Sequence, residues 1–225
     1  AIGNIKNTDI EYSLDSLNSS EYIQYLNNLF PAVHNTDNKL HNHLIRNHSF
    51  EVKARFRLYQ VLGNGLDTNI RKEGFSLLQG RIKPGMLSKK SVNFLMKSNL
   101  LFCDNYIDTI RLPKNEEELL KHLGLLSTRK HSQRALVPDM PAPSQLTIPD
   151  DCCHYDPHSL RTLTVREMAR IQSFPDWFVF KSKTTTGGTS RSFEVPQYTQ
   201  VGNAVPPVLS LEIGRLIKKL LSFEH

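Results

Sequence analysis

Two adjacent cysteines, Cys152 and Cys153, stand directly before His154, with His158 close behind. Thiols and imidazoles so near one another could form a nucleophile with its base, or part of a zinc site. The third cysteine, Cys103, is isolated. An odd count with an adjacent pair makes a poor disulfide framework and points to a reducing compartment. The pair therefore reads as small, partly buried thiols. A second cluster, His34, His41, His43 and His48, has no Cys or carboxylate at ligand spacing, so 35–49 reads as a solvated loop and no metal site is expected. Phosphate chemistry has better candidates. "KSKTTTGGTSRS" (181–192) joins Lys181, Lys183, Thr185 and Arg191 to a glycine pair; such cations, hydroxyls and amides suit phosphate oxygens, and the alternative is a flexible surface loop. "GRIKPGMLSKKS" (80–91) carries Arg81, Lys83, Lys89 and Lys90 around a Pro-Gly turn. It reads equally as a phosphate contact or as an ordinary solvated loop. In "QVGNAVPP" (200–207), Gly202 permits positive φ and Asn203 can both donate and accept. A Gly-Asn turn there could hold a small polar ligand ahead of a helix, or be only a tight turn.

Composition bounds the partners. The chain has 225 residues, enough for one large domain or two small ones, and 39% of them are hydrophobic. Lys and Arg number 28 against 22 Asp and Glu, a balance that favours a polyanion without proving one. No apolar run reaches the roughly 18 residues of a membrane span. The start, "AIGNIKNTDIEYS", is not a secretory signal and lacks a Met, so it reads like the middle of a longer chain.

The elements that must position these residues are legible in places. Helices are expected over 19–30, 51–63 and 115–124, the last capped by Asn115 and ended by Gly124. From 127 to 149 the chain is irregular and rich in proline, and an organisational boundary falls there. Thr164 followed by Glu167 is a capping box that starts a helix running to about Ser173. Arg166 and Arg170 share one face of it, set to pair with acids of a neighbouring element or with phosphates. Phe174-Pro175-Asp176 ends it. Pro206 and Pro207 then open a last helix. Its stripe of Leu209, Ile213, Leu216 and Leu220 predicts a buried face, with Lys218 and Lys219 near the negative end of the dipole.

"RTLTVREMARIQSFPD" (161–176) resembles motif IX of the DNA cytosine-5 methyltransferases, and "QVGNAVPP" resembles their motif X. Order, spacing and the following apolar helix all match, over roughly the last 65 residues. The resemblance implies an α+β fold: a small mixed target-recognition domain over 1–145, then a motif IX/X segment with a carboxyl-terminal helix over 146–225. In the intact enzyme that tail would pack on a Rossmann-like methyltransferase sheet. The family transfers a methyl group from S-adenosylmethionine to carbon 5 of cytosine, using a Cys in a Pro-Cys loop and a Glu in Glu-Asn-Val. These 225 residues contain neither, nor the family's Gln-x-Arg-x-Arg strand; "KARFR" (53–57) has Lys in place of the Gln.

The resemblance therefore implies the recognition half of such an enzyme, inactive alone, with double-stranded DNA and an amino-terminal catalytic half as partners. A cytoplasmic setting in a bacterial restriction-modification system goes with it. Asn203 and Val205 become candidates for S-adenosylmethionine contacts. Arg161, Arg166, Glu167, Arg170 and Gly202 become structural motif residues, no residue here is catalytic, and Lys181, Lys183, Thr185, Arg191, Arg81 and Lys83 are the DNA-contact candidates. The rival reading is a non-catalytic DNA-binding or assembly protein derived from a methyltransferase remnant.

Overall fold

A computed structural model describes residues 21–32, 39–63, 66–138, 140–145, 147–149, 152–186, 190 and 193–222. In chain order the elements are α1 (Glu21–Leu29), α2 (Phe50–Gly63), α3 (Thr68–Leu78), a 3-10 turn (Pro84–Met86), α4 (Lys89–Met96), β1 (Leu100–Asp104), β2 (Ile107–Arg111), α5 (Glu116–Gly124), β3 (Arg134–Ala135), β4 (Cys152–Cys153), α6 (Val165–Ile171), α7 (Gln197–Asn203) and α8 (Pro207–Leu221). Helices and two small sheets make the chain α+β, as expected. Among the described residues both sheets have two strands: β1 and β2 run antiparallel, β3 and β4 parallel.

The chain forms two compact units, each discontinuous in sequence. One comprises Ala1–Ile45, Ser144–Pro149 and Leu163–His225; the other comprises Arg46–Pro143 and Asp150–Thr162. Within the first unit, residues 41 and 42 are bonded to motif IX residues far along the chain.

The second unit is built around α2. Ala54, Phe56, Leu58, Tyr59 and Leu62 are all buried, so the helix lies inside the core and not on it. Leu77, Leu78, Leu95, Leu100, Phe102, Leu119 and Leu123 surround it. Buried Gln60 donates to the carbonyls of His154 and Asp156 at 2.7 and 2.9 Å, which ties the 150–162 segment to this core. The expected caps form: Asn115 Oδ1 accepts from the Glu118 amide at 2.8 Å, and Glu116–Glu118 sit at the positive end of α5.

In the first unit α6 is buried from Val165 to Arg170, and the capping box is present, with Thr164 N–H donating to Glu167 at 2.8 Å. Two expectations at the carboxyl end are corrected. Gly202 and Asn203 close the helix α7; they do not form a turn with positive φ. The last helix is not buried either. α8 has no buried residue, and Leu209, Ile213, Leu216 and Leu220 are all exposed. The apolar stripe is real, but no described residue of its own unit covers it.

Candidate functional site

Motif IX folds into a buried polar clamp. Arg166 and Arg170 are both 0% exposed, and Asp176 is 2% exposed. The Arg170 guanidinium grips Asp176 with both branches, Nε lying 2.8 Å from Oδ1 and the second branch on Oδ2. Such a fork-to-fork pair fits the planar guanidinium. Arg166 spreads its donors over two chain segments: the His41 carbonyl at 3.0 Å with Asn42 Oδ1, and the Pro175 carbonyl at 3.1 Å with the Phe178 carbonyl. Burial pulls Arg166 down to about 10, against the opposing charge of Asp176, so it stays cationic at neutral pH.

Asn42 completes the clamp. It sits at φ 64° and brackets Phe180, accepting from its amide at 2.9 Å and donating to its carbonyl at 2.8 Å. Tyr22 donates to the Arg170 carbonyl at 2.6 Å, and the Trp177 indole donates to the Phe30 carbonyl at 2.7 Å. Sequence reasoning missed Asn42, Tyr22 and Asp176 as partners. It read 35–49 as solvated, yet Asn42 and His43 are half-buried, with the His43 ring 2.9 Å from Thr164 Oγ1. No local pattern marks Asn42, because its partners lie more than 120 residues away. His34 lies outside the described residues.

The clamp answers what the two motif IX arginines do. They hold chain segments together, and with no exposed surface they offer nothing to a phosphate. Arg161, in the second unit, is also buried and donates to the Thr162 carbonyl at 3.1 Å.

The 181–186 segment is stitched onto α7. Gln200 donates to the Lys181 and Val195 carbonyls, and Gln197 to those of Ser182 and, through its amide, Lys183. Lys181, Lys183 and Thr185 are exposed, but Lys183 already holds Glu194 at 2.7 Å. Arg191 and the glycine pair lie outside the described residues. Arg81 and Lys83 are exposed in the second unit beside the 3-10 turn. Asn203 is exposed at the end of α7, and Val205 is 61% exposed in the link to α8. Cys153 is fully buried and its thiol is pushed up by that burial, which rules it out as a thiolate. No group of three or more metal-ligating side chains gathers among the described residues. No described helix is long and apolar enough to cross a membrane.

The charge divides sharply between the units. The second unit contains 18 Lys and Arg against 12 Asp and Glu; the first contains ten of each. All of the chain's excess positive charge is therefore in the second unit.

Against known families, C-5 cytosine-specific DNA methylase matches residues 4–219. The chain belongs to that family. Type II methyltransferase M.Bpa9945I of Bacillus paralicheniformis is 46% identical over 72 residues, 32% of this chain and 14% of the relative. M.DdeI of Desulfomicrobium norvegicum is 47% identical over 57 residues, covering 25% of this chain and 13% of the relative. These matches thus span only about an eighth to a seventh of those relatives' own length. M.AquIB of Picosynechococcus differs: it is 32% identical over 124 residues, which are 52% of this chain and 88% of that relative. No solved structure matches. As a family, C-5 DNA methylases use S-adenosylmethionine as methyl donor and act on DNA.

Proposed function

We propose that this chain is the DNA-recognition part of a cytosine-5 methyltransferase, and that it also completes the cofactor pocket of that enzyme. The charge partition carries the reading. A polyanion is attracted to the unit that holds all the excess positive charge, and that is Arg46–Pro143 with Asp150–Thr162. Arg81 and Lys83 become the better phosphate contacts; Lys181, Lys183, Thr185 and Arg191 belong to a unit with no net charge.

The nucleophile comes from elsewhere. None of the three cysteines follows a proline, and Cys153 is held as a buried thiol. The catalytic half, in the same longer chain or a separate subunit, supplies the Pro-Cys loop and the Glu-Asn-Val motif. The exposed stripe of α8 is the surface that packs on its sheet. M.AquIB supports such an arrangement, since that methyltransferase is itself shorter than this chain and matches it over most of its length. Where S-adenosylmethionine binds, Asn203 and Val205 border it. The donor set fits a polar ligand: the Asn203 amide is exposed and makes no hydrogen bond among the described residues. A cytoplasmic setting follows from a DNA substrate and three free thiols.

Two outcomes test this. Incubated with labelled S-adenosylmethionine and cytosine-containing duplexes, the chain alone is expected to transfer no label, and adding a family catalytic half restores transfer. Label transferred by the chain alone, and abolished by replacing Cys103, Cys152 or Cys153, sinks the half-enzyme reading. Duplex binding is expected to fall steeply with salt, each phosphate contact adding about 0.9 to the log–log slope. The double variant Arg81→Ala with Lys83→Ala should shallow that slope by nearly two such steps. An unchanged slope would remove these residues from the interface.

A further inference from the structure

β1 and β2 pair from Leu100↔Arg111 to Asp104↔Ile107, which leaves Asn105 and Tyr106 as a two-residue turn. Both have positive φ, 50° and 68°, the pattern of a type I′ hairpin. Asn-Gly is the favoured pair for such a turn, because a Cβ at positive φ is penalised. Here the glycine position holds a tyrosine. This residue is 102% exposed, and Ile107 beside it is 64% exposed. Folding does not explain the choice: a glycine would relax the backbone, and the ring buries nothing. A bulky residue kept in an unfavourable backbone conformation at full exposure points to use.

The root of the hairpin is fixed. Leu100–Phe102 are buried in the core, and Arg111 bridges Asp104 at 2.8 Å and Glu118 at 2.5 Å while lying 4.3 Å over the Phe102 ring. Lys53 holds Asp108 at 2.9 Å. The tip is thus presented with little ordering cost on contact. Both carboxylates flanking it are matched by cations, so the tip offers an apolar face and no free cation for a phosphate.

We propose that Tyr106 contacts DNA through its ring, stacking on a base or sugar face in a groove with Ile107 alongside, as a sequence-tolerant apolar wedge. This rests on reading the basic unit as the DNA-recognition part. Electrostatics of that unit bring the duplex in; the tip adds contact that salt does not screen.

The test uses the full chain, a fluorescent duplex of randomised sequence, and anisotropy at several salt concentrations. Tyr106→Ala and Tyr106→Gly are expected to weaken binding roughly 5- to 100-fold at every salt, with the log–log slope unchanged. Tyr106→Phe should stay within about 2-fold of the parent, because the ring and not the hydroxyl makes the contact. Tyr106→Gly should melt no lower than the parent, since glycine suits the turn; this separates contact from folding. Normal binding by the alanine and glycine variants, beside weakened binding by Arg81→Ala/Lys83→Ala, overturns the wedge and leaves the DNA reading standing. Absence of duplex binding by the parent chain overturns both. Normal duplex binding by Tyr106→Gly, with lost restoration of methyl transfer by the catalytic half, would make the tip a protein contact and also overturn the proposal.

Discussion

Asp176→Ala is expected to destabilise the first unit by about 3–5 kcal/mol, a large share of the roughly 5–15 kcal/mol that holds a typical domain together. The reason is the two guanidiniums left behind. Arg170 loses both of its Asp176 bonds, and Arg166 loses the carboxylate 3.9 Å away, with neither side chain exposed to water. Burying a cation whose counter-charge has been removed costs more than the pair stabilises. Urea unfolding should show a lowered midpoint with little change in slope. The control is the double variant Arg170→Met with Asp176→Leu. Replacing both partners by apolar groups should lose clearly less than Asp176→Leu alone, because no buried charge remains at position 170. A loss under about 1 kcal/mol for Asp176→Ala would mean that the clamp does not hold motif IX in place.

The second large effect is on acid stability of the other unit. His122 is buried, stacked on Phe102 at 4.4 Å, and its Nε2 has no hydrogen-bond partner among the described residues. Burial lowers it to about 4 from 6.5; Glu118 opposes that shift and Arg111 adds to it. Between those two values the unfolded chain binds a proton that the folded chain does not. Stability is therefore full above pH 6.5, declines as pH falls, and has lost on the order of 3 kcal/mol by pH 4. His122→Phe keeps an aromatic ring in the stack and removes the titration. Its stability should be nearly flat over that window. Below it both proteins should weaken again, because Arg111 holds the Glu118 carboxyl at about 2. An acid profile for His122→Phe that parallels the parent's between pH 6.5 and 4 would place the sensitivity elsewhere.

Neighbouring residues are enough to specify the local features and the family. Asn115 and Thr164 cap helices whose starts are written in adjacent residues, because a cap needs only a side-chain oxygen and an amide two or three positions on. The motif IX and X words are enough to identify the family, and the match over residues 4–219 agrees. Tertiary structure alone decided what those words do. Arg166 and Arg170 on one helix face could have pointed at phosphates; Asp176 and the carbonyls of His41, Pro175 and Phe178 enclose them instead. Helical periodicity reports the phase of side chains and not what lies opposite. For the same reason the stripe on α8 foretold a covered face, while the helix stands with that face exposed. A hydrophobic pattern states that a surface is made to be buried, but the covering surface is written in other residues. Charge behaves likewise. The total of +6 is a property of composition, whereas its confinement to the second unit depends on which distant segments, such as 46–143 and 150–162, fold together.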